Sequence, residues 1–533
     1  MAKTLSSSQI ARSTLVVLVG FLASGVLGLI RTAIFSITFG AGSELDAFYA
    51  AQRIPELIFV LVAGGALGSS FIPVFARMMS KDADQAWRLA SATLTCVSLI
   101  GAALALIMAL FAPQIMPTLL LPDQPPAQQA LTVALTQIML ITVAVFSVSG
   151  LMMGILNAQG IFTYSALAAS VYNIGQIGGA LILVPLIRAS NPTYAVFGLA
   201  FGVVIGSILH LIVQIPGLRR AGVLNRLRFL PDMRAEGVRD VLVLMLPRVL
   251  GLGIVQINFL VNVALTSGMA AGSLSALTLA WTLMFFVLGV IAQSIGTALF
   301  PTLSALVANG DMDGYKQRLS EAMRGVLFLA FPATVGLILL GVPVIRLVFE
   351  HGAFDAVDTA ATAWALMLYA VGIAGHALLE VLSRAFYALA DTWTPVLIGI
   401  LSIIANIALS LTLMNVIGDP NRLVMGAFGG LALANSITTL LEAALLWLIL
   451  SRRLGGINDR FVVRGVLPTV IAAILMGAVM LIVQVSVFTS TLIMTILALV
   501  IGGVVFFGIA WLLRIDEARM VFGLIRRRLG ALT

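Results

Sequence analysis

Along this chain apolar residues gather into runs of roughly 20 or more, the length a helix needs to cross the hydrocarbon of a bilayer. Short polar segments separate them. The runs lie near 13–38, 47–75, 87–112, 131–154, 162–187 and 194–217, then near 238–266, 272–305, 322–349, 359–387, 393–416 and 422–450, and finally near 463–487 and 490–514. Backbone polar groups in lipid must be satisfied inside their own segment, so such runs read as helices. The pattern predicts an all-α polytopic membrane protein with about fourteen transmembrane helices. No connection is long enough for a folded soluble domain. The longest, 218–237, contains RRAGVLNRLRFLPDMRAEG and reads as a basic linker, partly interfacial.

Composition strengthens this picture. The chain is 61% hydrophobic and 10% charged, with a mean hydropathy of +1.12, whereas soluble domains carry about 25% charged residues. The first run is longer than a signal-peptide core and reads as a retained helix. The single cysteine, Cys96, excludes an intramolecular disulfide and a Cys-rich metal site.

The net charge of +8 is a matter of topology and does not indicate nucleic-acid binding. With the N-terminus on the cytoplasmic side, 24 of the 30 Lys and Arg residues fall at inside segments. Only Arg188, Arg346 and Arg422 fall outside, while Arg31, Arg53 and Arg248 lie within spans. The positive-inside rule therefore predicts an inner-membrane protein with both termini in the cytoplasm.

A shift of 228 positions lays Gly68–Ala76 (GSSFIPVFA) on Gly296–Ser304 (GTALFPTLS) and Trp87-Arg88 on Tyr315-Lys316. It also pairs Gly25 with Gly253 and Gly40 with Gly268, and ILNAQG before the fifth span resembles AFYALAD before the eleventh. Six spans separate the copies, so they share one orientation. The expected architecture is two six-helix lobes related by a pseudo-twofold axis along the membrane normal, plus two C-terminal helices. The expected division is 1–217, a linker 218–237, 238–450, and 451–533 with a basic cytoplasmic tail.

Charged side chains inside hydrocarbon cost at least roughly 2.5–3.5 kcal/mol unless they meet water or a partner. The first two spans nevertheless carry Arg31, Arg53 and Glu56, with Glu44 and Asp46 between them. Two readings are open. The charges pair among themselves as structural bridges, or Arg31 and Arg53 present guanidinium forks to an anionic ligand. Arg248 either lines a cavity or snorkels to the headgroups. Glu380 and Arg384 are spaced as an i, i+4 pair, Glu442 has no partner in sequence, and His210 and His376 read as hydrogen-bonded helix contacts. No HExxH, GxSxG or P-loop occurs, and no metal cluster can be assembled from three histidines. Without a nucleotide-binding domain, energy must come from an ion gradient, the membrane potential or the substrate gradient.

The run Arg31–Ala76 (RTAIFSITFGAGSELDAFYAAQRIPELIFVLVAGGALGSSFIPVFA) resembles the MviN/MurJ family, as do LNAQGIF (Leu156–Phe162), FEHGAFDAVDT (Phe349–Thr359) and RAFYALADTWTP (Arg384–Pro395). The resemblance implies the fold of the multidrug/oligosaccharidyl-lipid/polysaccharide exporters, with the last two helices forming a lipid-facing groove. It also implies flipping of lipid II, the undecaprenyl-pyrophosphate-linked peptidoglycan precursor, toward the outer leaflet. Its expected partners are that lipid, membrane lipids and the cell-wall synthesis machinery. Arg31, Asp46, Arg53 and Glu56 would then line the substrate cavity. Some family members bind a monovalent cation such as Na+, for which Asp391 and Thr394 are candidates here, although Asp391 equally suits a helix cap. The sequence departs from the family at Gly25, Phe59 and Thr282, where arginine is frequent, and Phe285 stands where a glutamate is expected.

Three functions follow. The first is a lipid II flippase that works by alternating access. The second is a flippase for another polyprenyl-linked glycan or an exporter of an amphipathic solute, which the missing arginines favour. The third is a membrane glycosyltransferase of cell-wall synthesis, which should show catalytic carboxylates in a substantial outer loop, where this chain has short ones.

Overall fold

The structure is a computed structural model and describes residues 7–62, 65–232, 234–486 and 490–519. Its helices in chain order are α1 (Ser7–Phe39), α2 (Ser43–Val62), α3 (Gly65–Lys81), α4 (Ala83–Ile115), α5 (Pro126–Met139), α6 (Ile141–Ala158), α7 (Thr163–Gly178), α8 (Val184–Ser190), α9 (Phe197–Ile212), α10 (Ile215–Arg220) and α11 (Val238–Thr266). They continue as α12 (Ser273–Leu288), α13 (Ser294–Ala308), α14 (Met312–Phe349), α15 (Ala356–Ala370), α16 (Ile373–Ala388), α17 (Trp393–Leu413), α18 (Phe428–Leu454), α19 (Asp459–Ser486) and α20 (Thr491–Leu512). Among the described residues the only β pairing is an isolated bridge between Asp419 and Gly426.

Among the described residues, each of the fourteen predicted ranges is mostly helical. Among the described residues, 11 helices are long and apolar enough to cross a bilayer, or 12 if α15 and α16, bent by 47°, form one span. Two predicted spans fall short of that test. Range 47–75 is divided between α2 and α3, and α2 carries four charges; range 238–266 is α11, which opens on Arg239 and Asp240.

The chain falls into two compact units, Met1–Ser275 and Ala276–Thr533. In the first, α2 packs against α5, α11, α4 and α6. Phe35, Phe48, Phe71 and Phe75 are fully buried there, with Phe35 meeting Phe48 edge-on at 5.4 Å and Phe75 meeting Trp87 at 5.5 Å. Helices α7 and α9 cross backbone to backbone: a Cβ on Gly206 would stand 2.6 Å from Tyr172 O. Small residues permit such approach where lipid gives helices no hydrophobic reason to associate. Although α11 opens the second repeat copy, it packs against α2 and α3. Packing and sequence kinship thus divide the chain at different places. The linker docks along α4, where Ser91 Oγ accepts from Arg228 N at 3.1 Å and Thr95 Oγ1 from Leu230 N at 3.0 Å. Phe229 between them is 75% exposed, as the interfacial reading expects.

In the second unit α14 packs against α13, α15, α16, α19 and α20. Phe328, Met476, Met480 and Phe506 join α14, α19 and α20 in one apolar cluster. The outward side of α19 and α20 exposes Leu467, Ile474, Ile482, Val485, Leu492 and Val504. A continuous apolar face of that extent has lipid as its solvent.

The repeat has local structural counterparts. Asp82 caps α4 by accepting from Asp84 N at 2.9 Å and Gln85 N at 3.2 Å, and Asp311 caps α14 by accepting from Gly314 N at 2.8 Å. Pro73 lies inside α3 and Pro301 inside α13. Helices α6 and α16 end alike: Ile161 N donates to Leu156 O at 2.9 Å, and Asp391 N donates to Phe386 O at 3.0 Å. Each such ending requires one left-handed residue, which is Gly160 at φ 76° in the first copy and Ala390 at φ 59° in the second.

Candidate functional site: arginines within the first unit

Arg31 projects from α1 toward α7, where its Nη1 donates to Asn173 Oδ1 at 3.1 Å. Asn173 is 6% exposed. Its amide nitrogen donates to Ser24 O at 3.3 Å and Ala169 O at 3.1 Å, which turns its oxygen toward the guanidinium. Arg31 Nη2 reaches Thr32 Oγ1 at 3.5 Å, while its Nε is buried with no hydrogen-bond partner among the described residues.

Arg53 stands one turn before Glu56 on α2, and the two form an ion pair at 3.1 Å. The Arg53 guanidinium lies 4.8 Å from the centre of the Phe259 ring, and its Nε is also buried with no hydrogen-bond partner among the described residues. The two arginines share a neighbour. Tyr49 lies within electrostatic reach of both, and Tyr172 within reach of Arg31 and Glu56. Arg31 is thus within electrostatic reach of both tyrosines, with Arg53 near Tyr49 and Glu56 near Tyr172. Tyr49 and Tyr172 were not singled out by sequence reasoning, and neither was Asn173, whose only signal was an amide inside an apolar run.

Asp46 is engaged elsewhere. Its Oδ2 accepts from Gly272 N at 2.7 Å, and its Oδ1 accepts from Ser275 N at 2.7 Å and Ser275 Oγ at 2.6 Å. These are the donors of a helix start, so Asp46 serves as an N-cap supplied from a distant helix. The cavity role expected for Asp46 has to be reconciled with a carboxylate already holding three donors.

The departures from the family also find physical places. Phe59 extends an aromatic wall, 4.7 Å from Phe146, which lies 5.3 Å from both Tyr172 and His210. At Gly25 a Cβ would meet nothing within 4 Å. In the second unit, Thr282 Oγ1 donates to Thr278 O at 2.8 Å. Phe285 packs on Trp281 at 4.3 Å and on His376 at 5.6 Å.

The remaining candidates resolve into helix contacts. His210 Nδ1 meets Ser149 Oγ at 2.6 Å, and His376 Nε2 meets Asn435 Oδ1 at 3.3 Å. Arg384 forms an ion pair with Glu380, and Glu442 on α18 has Ser402 of α17 as a polar neighbour. The Arg248 side chain lies outside the described residues.

Asp391 Oδ1 accepts from Thr394 N at 2.9 Å, and its Oδ2 accepts from Thr394 Oγ1 at 2.6 Å and pairs with Arg453. Burial opposes its charge, yet Thr394 and the Arg453 guanidinium outweigh burial and hold the carboxyl below the ordinary aspartate range. A guanidinium already occupies the position a monovalent cation would need, so these residues fit a cap at the start of α17 and do not fit a cation site. Among the described residues, no group of three or more His, Cys, Asp or Glu side chains could hold a metal ion.

Known proteins resemble this chain in sequence and in fold. Residues 35–502 match the family model described as lipid II flippase MurJ. The lipid II flippase MurJ of Burkholderia cenocepacia is 30% identical over 439 residues, covering 81% of this chain and 82% of that protein. A probable lipid II flippase MurJ of Vibrio cholerae is 31% identical over 453 residues, covering 83% of each. A solved structure titled lipid II flippase MurJ, inward closed conformation, superposes with a TM-score of 0.77 at 24% identity, covering 94% of this chain and 98% of that one. An inward-facing multidrug resistance transporter of the MATE family, in the MOP superfamily, superposes with a TM-score of 0.67 at 14% identity, covering 82% of this chain and 96% of that one. This multi-pass membrane protein, with Arg31 on α1 and Arg53 on α2, belongs to the lipid II flippase MurJ family.

Proposed function

We propose that this chain flips lipid II from the cytoplasmic to the outer leaflet of the bacterial inner membrane by alternating access, with both termini in the cytoplasm and no covalent chemistry. The observation that carries the reading is the pair Arg31 and Arg53. Arg31 is held by Asn173 and Thr32 and Arg53 by Glu56, and among the described residues each keeps a buried Nε–H without an acceptor. A buried donor left unmade costs about 1–3 kcal/mol, more for a charged group. A pyrophosphate would supply that acceptor, and its oxygens suit the guanidinium fork. Glu56 repels the anion, and pairing with Arg53 offsets part of that repulsion. The proposed driving force is the membrane potential or an ion gradient.

The test is rescue of a bacterium depleted of its own lipid II flippase. The wild-type chain should restore viability and outer-leaflet lipid II. The double variant R31A/R53A should lose flipping by about 10-fold or more at equal membrane expression, given roughly 1.5–3 kcal/mol for each charge-assisted contact. Undiminished flipping by the double variant would sink the phosphate assignment. The aromatic wall at Phe59 and the open position at Gly25 favour a second reading, a flippase for another polyprenyl-linked glycan. Membrane-inserted protein that fails to rescue but supports export of a different polyprenyl glycan would select it.

A further inference from the structure

An open basin of about 970 Å³ lies in the second unit where the start of α14, the α18–α19 turn, the start of α19 and the residues after α20 come together. Its lining is rich in charge: Lys316, Arg324, Arg460, Arg464 and Arg514 against Asp313, Asp459 and Asp516. Three of these eight groups are already committed. Arg324 is 7% exposed and binds Glu517 through Nε at 2.7 Å and Asp516 through Nη2 at 3.3 Å, with its guanidinium stacked 4.1 Å from the Phe461 ring centre. Asp459 accepts from Trp447 Nε1 at 2.6 Å, Ser451 Oγ at 2.7 Å and Ile457 N at 3.2 Å.

Four cations remain, Lys316, Arg460, Arg464 and Arg514, none with a side-chain hydrogen bond or ion pair among the described residues. Only Asp313 opposes them. The start of α19, with the positive end of its dipole, lies at the same place. The surroundings tell what kind of anion fits. Phe461, Pro468 and Leu513 share the lining, and Val463, Leu467, Trp511 and Leu512 beside them are exposed apolar surface. An exposed tryptophan between a basic cluster and an apolar face marks the headgroup level of a bilayer.

We infer that this basin binds the phosphate of an anionic phospholipid, whose acyl chains run along the exposed faces of α19 and α20. A soluble phosphate would leave the apolar rim unused, and a zwitterionic headgroup would bring its ammonium into a site already in positive excess. The bound lipid holds the foot of α14 against α19 and the segment after α20, the same elements that the buried Arg324 ties together.

The experiment is native mass spectrometry of the purified full-length protein titrated with phosphatidylglycerol, phosphatidylcholine, glycerol 3-phosphate or inorganic phosphate. Phosphatidylglycerol should be retained with higher affinity than phosphatidylcholine. Each of R460Q, R464Q and R514Q should weaken it about fivefold. The triple Lys variant, which keeps the charge, should retain most of the binding and so shows that loss in the Gln variants is not misfolding. Glycerol 3-phosphate and inorganic phosphate should not compete at equal concentration. Unchanged phosphatidylglycerol binding in the triple Gln variant overturns the site. Competition by the soluble phosphates, or equal binding of phosphatidylcholine, overturns the anionic-lipid assignment. None of these readouts depends on flipping.

Discussion

Replacing Asp46 with Ala removes a carboxylate that accepts from Gly272 N, Ser275 N and Ser275 Oγ, all within 2.7 Å. Hydrogen bonds to a charged acceptor contribute about 1.5–3 kcal/mol each, and the low end of that range suits bonds that share one acceptor group. Three of them give a loss of about 4 kcal/mol, to which the freed helix start adds roughly 0.3–1 kcal/mol. D46N keeps one acceptor oxygen and should lose about half as much, near 2 kcal/mol. S275A removes only the hydroxyl donor and should cost about 1 kcal/mol. Combined with D46A it should add almost nothing, because the two changes delete the same contact. The chain carries its own probe: Cys96 is the single cysteine, lies in the first unit and is 7% exposed. A thiol-reactive fluorogenic dye therefore reports the unfolding of that unit during a thermal ramp in detergent. The expected order of midpoints is wild type, S275A, D46N, D46A. If D46A melts with the wild type yet fails in the rescue assay, the cap reading is wrong and Asp46 acts on the substrate.

The same dye assay tests the two copies of the helix ending. Ala390 at φ 59° bears a strain of about 1–2 kcal/mol that glycine does not, so A390G should stabilise by about 0.5–1 kcal/mol after glycine's own entropic cost. G160A should destabilise by about 1 kcal/mol. Unequal signs in the opposite sense would refute the equivalence. The Asp391–Arg453 pair predicts a pH dependence. The folded carboxyl titrates below the ordinary value of 3.8, so its contribution is fully present above the unfolded pKa and is lost as pH falls through the lower folded one. D391N should flatten the thermal midpoint between pH 5 and the acid limit of the protein, at roughly those values. A wild-type profile no steeper than that of D391N would refute the linkage.

Much of the fold was legible in the sequence because lipid imposes a rule that acts locally. A run of apolar residues of sufficient length must be helical wherever the rest of the chain goes. For that reason the fourteen ranges are mostly helical among the described residues. Local rules also reached the i, i+4 pair of Glu380 and Arg384 and the histidines as helix contacts. The kinship of ILNAQG with AFYALAD proved to be a shared left-handed ending. Arg31 and Arg53 were conspicuous because charge inside hydrocarbon is costly in any fold.

Tertiary structure decided what each charge does, since that depends on partners far away in sequence. Asp46 reads as one of a cluster with Arg53 and Glu56, but its donors are 226 and 229 residues away. Arg31 is oriented by Asn173, 142 residues distant, and no periodicity announces such a meeting. Asp391 gave no sign of Arg453, 62 residues on. The packing of α11 with the first unit was hidden likewise, because sequence kinship records descent whereas packing records which faces fit. The sequence alone determined which segments enter the membrane, through the cost of unsatisfied backbone in lipid. Which of their charges are left over for an anionic ligand is settled only when distant helices meet and claim the others.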